Sequence, residues 1–99
     1  MMMATTKDYR DFILEQLSSL DQITYRPMMG EYLFYLNGIL FGGIYDNRLL
    51  IKRTKGNAKF NLPEIIPYEH AKPMYQVEDL DNQETLAIMV DVTVNDLSR

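Results

Sequence analysis

The sequence predicts an α+β domain: an antiparallel meander of about four to five strands, packed with an N-terminal and a C-terminal α-helix. Three observations carry this. Apolar residues recur at i, i+3, i+4 and i+7 near both ends of the chain. Two turn dipeptides, Asn37-Gly38 and Asp46-Asn47, separate three short runs rich in apolar and aromatic residues. The 99 residues suffice for one hydrophobic core but not two, so 1–99 reads as a single domain.

Each element has its own justification. Met1 to Ala4 are expected to be disordered. Thr5 or Thr6 can cap a helix through its hydroxyl, with Asp8 in the first turn. Tyr9, Phe12, Ile13, Gln16, Leu17 and Leu20 then form a stripe, interrupted once by the polar Gln16, and the helix should end near Ser19. Gln22 to Met28 reads as a strand in which Pro27, lacking a backbone donor, demands an edge position or a bulge. Glu31–Leu36, Ile39–Tyr45 and Arg48–Arg53 form the meander. Thr54 to Lys72 is a connection broken by Gly56, Pro63 and Pro67, with a short helical turn expected at Lys59 to Leu62. Met74 to Val77 is a final strand. Asp79 or Asp81 should cap the last helix, whose stripe is Leu86, Met89, Val90, Val94 and Leu97; β-branched Val92, Thr93 and Val94 should fray it near Asn95.

Two-residue turns fix a register. Leu36 would face Ile39, Phe34 would face Phe41 and Tyr32 would face Gly43; across the next turn, Gly43 would face Leu50 and Phe41 would face Lys52. The opposite side would carry Leu33, Tyr35, Leu40, Gly42, Ile44, Leu49 and Ile51. Both sides are largely apolar, so something must cover each. The two helices can cover one. The other is expected to be a self-association face of a homodimer, through Leu33, Leu40, Ile44, Leu49 and Ile51. The competing expectation is a lid folded from Thr54 to Lys72, using Phe60, Leu62, Ile65, Ile66 and Tyr68.

Composition narrows the function. Lys and Arg number 10 against 14 Asp and Glu, a net charge of −4, which argues against a surface built throughout to neutralise phosphates. The chain has no cysteine and one histidine, His70, which excludes disulfides, thiolate nucleophiles, Cys-based zinc sites and any site needing two histidines of one chain. No run approaches the length of a membrane span, and the start lacks the basic and apolar segments of a secretory signal. A cytoplasmic location is expected. No cofactor or metal is implied.

Three local features could carry chemistry. Arg48, Lys52, Arg53, Lys55 and Lys59 lie within twelve residues that hold no acid, and could contact an anion or nucleic acid. The plainer reading is a solvated strand end facing the acidic later half, where residues 64 to 96 hold eight acids against Lys72. No site-specific duplex binding is expected. The run Glu78 to Glu84 lacks the central glycine and distal glutamate of a calcium loop, and reads as a helix start. His70 beside Glu69 could act as a general base, but no nucleophile stands at a telling spacing.

The segment Arg26-Pro27-Met28-Met29-Gly30-Glu31-Tyr32-Leu33-Phe34-Tyr35, running on through Asn37-Gly38 to Phe41 and to Asp46-Asn47-Arg48-Leu49, resembles the TfoX N-terminal domain family. That family pattern is roughly R-x-M-F-G-x-Y-x-x-Y, a D/N-G turn, an apolar strand and D-x-R-L-Y-L-K. Tyr9, Phe12, Ile13 and Leu17 of the opening helix, and Lys72 to Val77, fall in the same order, so the resemblance covers nearly the whole chain. Met29 stands where an aromatic is common. The sequence ends at Arg99, without the C-terminal domain of two-domain members. The resemblance implies a curved antiparallel sheet with helices, similar to secretion-chaperone-like folds. It implies a role as a co-regulator, of natural competence in some relatives, and supplies no catalytic residues. The expected function is a non-enzymatic regulatory or protein-interaction domain; the alternative is a weak nucleic-acid or anion-binding module using the basic cluster.

Overall fold

Turn chemistry builds the sheet. Asn37 and Gly38 take φ of 52° and 79°, and Asp46 and Asn47 take 52° and 54°, the paired left-handed angles that close a hairpin without splaying its strands. Tyr45 and Arg48 exchange both backbone hydrogen bonds across the second turn, at 2.9 and 3.1 Å. A third such turn lies at Met29-Gly30 (φ 50° and 84°). The sequence does not announce it, because methionine seldom takes a positive φ. Met29 sits at the hairpin tip, 98% exposed, so the residue that replaces the usual aromatic faces solvent.

The computed structural model describes residues 5–99, so the disorder expected of Met1 to Ala4 lies outside the described residues. The order is α1 (Lys7–Gln16), β1 (Ile23–Met28), β2 (Glu31–Leu36), β3 (Ile39–Ile44), β4 (Leu49–Ile51), a 3₁₀ turn (Asn57–Phe60), β5 (Glu64–Ile65), β6 (Met74–Val77) and α2 (Gln83–Leu97). The six strands form one open, curved antiparallel sheet in the order β1-β2-β3-β4-β6-β5, slightly larger than the four to five expected. The addition is β5, two residues that pair with β6. Pro27 lies on the edge strand β1, where a missing donor costs no ladder bond.

The β2–β3 register departs from the expected one. Leu36 pairs with Ile39 and Tyr35 with Leu40, but Phe34 then pairs with Gly42, Leu33 with Gly43 and Tyr32 with Ile44. Phe41 is the extra residue of a β-bulge. The glycines that follow it explain why the strands tolerate this. A Cβ on Gly42 would run into the Leu50 carbonyl and come within 2.9 Å of the Ile51 Cα, and one on Gly43 would run into the Tyr32 carbonyl. The bulge turns Ile44 onto the face of Phe34 and Leu36. The next turn keeps its expected register, Gly43 facing Leu50, so Leu49 and Ile51 follow Ile44 inward.

Both helices lie on that face. Ile13 and Leu17 from the α1 region and Leu86, Val90 and Val94 from α2 pack with Phe34, Leu36, Phe41, Ile44, Leu49, Ile51 and Val77 into one core. A fully buried side chain of this kind contributes about 1.5–3 kcal/mol. Thr6 caps α1, its hydroxyl accepting from the Tyr9 N–H; the helix stops at Gln16, one turn before the expected end. Gln16, the polar break in the stripe, is buried and donates to the Leu80 carbonyl. Asn82, not Asp79 or Asp81, caps α2 by accepting from Thr85, and α2 continues past Asn95 to Leu97.

Two buried polar side chains tie the layers together. The Glu31 carboxylate, 5% exposed, accepts from the Thr5 N–H (3.0 Å), the Thr5 hydroxyl (2.6 Å) and the Asp46 N–H (3.0 Å). It pins the entry to α1 against the β3–β4 turn. Asn57, fully buried, donates to the Lys52 carbonyl and the Thr93 hydroxyl, both at 2.8 Å, and accepts from the Thr54 N–H at 2.9 Å. The short helical turn begins at this residue and spans Asn57–Phe60, slightly ahead of the expected Lys59 to Leu62.

The close strand approach at the bulge gives a direct test. Gly42→Ala should lower stability by about 1–3 kcal/mol, the usual cost of forcing extra atoms into a packed site. Urea unfolding reads it as a lower midpoint at constant slope, and an unchanged midpoint would rule out the backbone contact described above.

Candidate functional site

The sequence-predicted cations do not act as one patch. Arg53 pairs with Glu64 at 2.8 Å. Lys59 lies 5.5 Å from the centre of the Phe60 ring, and Lys55 is exposed. Arg48 is half-buried at the β3–β4 turn, with its Nε unpartnered among the described residues. Lys52 follows β4 and is half-buried. An acidic group stands beside the cluster too: Asp96 of α2 accepts from the Gly56 N–H at 2.6 Å. The Thr54 hydroxyl and that N–H hold the Asp96 carboxyl below the usual carboxylate range, with Arg99 and Lys59 adding to the effect.

His70 and Glu69 are about nine-tenths exposed, 3.5 Å apart on the loop before β6. The acidic run 78–84 leads into α2 as a helix start. Among the described residues no group of three or more His, Asp or Glu converges as a metal site, and no helix is long and apolar enough to cross a membrane.

The two-faced sheet gives the more informative site. The five residues expected to form a self-association face are split by the bulge. Ile44, Leu49 and Ile51 are completely buried beneath the helices, whereas Leu33 and Leu40 lie on the helix-free face, half-buried. The expected homodimer surface therefore loses three of its five residues to the core. The expected lid is partly built. Tyr68 packs on Tyr45 with ring centres 6.4 Å apart, and Pro67 is buried, but Ile66 is 60% exposed and Leu62 packs against the main core. Burial, then the neighbouring Tyr68 and Glu31, raises the Tyr45 phenol above its ordinary pKa.

What the segment leaves uncovered is a cleft of about 530 Å³. Leu33, Leu40, Met28 and Met74 line its sheet side, and Tyr68, Ala71 and Pro73 its loop side; Lys52, Arg53 and Lys72 are its charged members. A left-handed His70 (φ 68°) and the Ala71 N–H to Tyr68 carbonyl bond (3.0 Å) shape the loop wall. Sequence reasoning did not single out Met28, Tyr45, Lys72 or Met74 for this role. The available signal was the pair Pro67 and Pro73, which brackets a stiff loop carrying Tyr68.

The fold and cleft define a small α+β domain with an open sheet face lined largely by apolar residues. A family model for the TfoX N-terminal domain matches residues 15–95, and the chain belongs to that family. It is also similar to an uncharacterized 12.7 kDa protein in the trpE 5' region of Spirochaeta aurantia, with 35% identity over 80 residues, 79% of this chain and 70% of that one.

The Asp96 cap has a pH signature. Its carboxyl is lowered in the folded state, so its contribution is present above the unfolded carboxyl pKa and is lost as pH falls through the lower folded value. Asp96→Asn should therefore cost stability at neutral pH and flatten the acid limb of the stability profile. Thermal unfolding of both proteins between neutral and acidic pH checks this. Parallel acid limbs would show that the carboxylate is not held as described.

Proposed function

We propose that this chain is a non-enzymatic regulatory module of the cytoplasm, which works by docking a protein partner on the helix-free face of its sheet. The observation that carries this reading is the uncovered apolar surface around Leu33, Leu40 and Met74, bordered by the exposed Tyr68. A partner seated there would remove apolar area of these half-buried side chains from water. Family membership supports a regulatory role, the role the resemblance implies for some relatives of the TfoX N-terminal type. The basic cluster supports the nucleic-acid alternative less well, because Arg53 is neutralised by Glu64 and Asp96 stands among the remaining cations.

Quantitative affinity capture from the native cell, with wild type, Leu40→Asp and Lys55→Glu in parallel, tests this reading. Circular dichroism confirms that each variant is folded. The expected result is a set of partners lost by at least about tenfold with Leu40→Asp, in line with the cost of truncating a buried interface anchor, and kept with Lys55→Glu. Loss with Lys55→Glu alone, or recovery of nucleic acid rather than protein, would overturn it.

A further inference from the structure

The cleft on the helix-free face is charged in one sense only. Lys52, Arg53 and Lys72 line it and no carboxylate does, in a chain whose acids outnumber its Lys and Arg by 14 to 10. Glu64 occupies Arg53 at 2.8 Å. Lys52 and Lys72 have no carboxylate within ion-pair distance among the described residues. Lys52 and Lys72 thus share the cleft lining with the apolar Leu33, Leu40 and Met74.

That combination selects a ligand. A volume of about 530 Å³ lies within the range of about 300–1,000 Å³ typical of small-molecule sites, which are mostly apolar with a few placed polar groups. Methionines at Met28 and Met74 let the floor adapt to an unbranched chain. The low-dielectric floor strengthens attraction between the lysines and an anion relative to bulk water. A multiply charged phosphate ligand would gain nothing from the apolar floor, and an uncharged hydrocarbon would gain nothing from the lysines.

We propose that this cleft binds a small soluble anion with an apolar body, a medium-chain carboxylate in class. Its chain lies on Leu33, Leu40 and Met74, and its carboxylate meets Lys52 and Lys72. The inference goes beyond the docking reading, because it concerns the concavity itself and its test does not involve any protein partner.

The test is titration of the full chain with decanoate, below its micelle-forming concentration, by calorimetry and by amide chemical shifts. Decanol supplies the same chain without charge, and acetate the same charge without the chain. The expected result is saturable 1:1 decanoate binding, at least about tenfold tighter than decanol or acetate, with the largest shifts at Leu40, Ala71 and Met74. Lys52→Gln and Lys72→Gln, both surface changes that should leave the fold intact, should each weaken decanoate by about three- to tenfold, the range set by an exposed pair to a charge-assisted hydrogen bond. Neither should change decanol. The proposal is overturned by non-saturable binding, by equal affinity for decanoate and decanol, by indifference to both lysine variants, or by shifts confined to the helical face. Loss of partner capture with Leu40→Asp would leave each of these outcomes unaltered, so the two readings fail separately.

Discussion

The bulge at Phe41 decides what is inside this protein. Without it, strand alternation would send Phe34 and Ile44 to opposite faces, and the helices could not bury both. One extra residue on β3 reverses the alternation at its midpoint. Ile44 then joins Phe34, Leu36 and Phe41 under the helices, and β4 and β6 inherit the shift through Leu49, Ile51 and Val77. Gly42 and Gly43 make it sterically possible by letting β3 approach the backbones on either side more closely than any side chain would allow. The same reversal takes Ile44, Leu49 and Ile51 away from the face of Leu33 and Leu40, which stay opposite the helices.

Polar side chains then hold the helices to the sheet. Glu31 would be an expensive burial without donors, since an isolated carboxylate resists leaving water. Thr5 and the Asp46 backbone supply those donors, which explains how a short helix with a broken apolar stripe still docks firmly. Asn57 serves the other end, linking the strand end at Lys52 to Thr93 on α2. The β-branched run Val92 to Val94, unfavourable for an isolated helix, is stabilised by this contact and by burial of Val94, so tertiary packing overrides propensity there.

Much of the architecture was legible in the sequence, because it follows from local rules. Asn37-Gly38 and Asp46-Asn47 specify their hairpins through backbone angles that few other residues adopt, and Pro27 specifies an edge through a missing donor. The helical stripes announce themselves by period. The bulge was not legible, because a glycine pair in a strand marks close approach without saying which residue is extra. The face assignment depended on it, and so did the site: Ile44, Leu49 and Ile51 read as surface and are core. Asn82 displaced its acidic neighbours as the α2 cap because the cap is set by where the backbone leaves β6, a tertiary fact. The cleft joins residues from β1, β2, β3, β6, the segment after β4, the loop before β6 and the end of α2, and no spacing in the chain brings those together.

Because the chain contains no cysteine, single-cysteine variants report the sheet's two faces without background. Maleimide labelling of Leu40→Cys and Ile44→Cys, measured on the native protein and again in denaturant, is the most direct test of the bulged register. The bulge predicts that Leu40→Cys labels readily in the native state, while Ile44→Cys labels only at the rate of unfolding. Comparable native labelling at the two positions would place them on one face, as an unbulged strand requires, and would contradict the arrangement of both core and cleft.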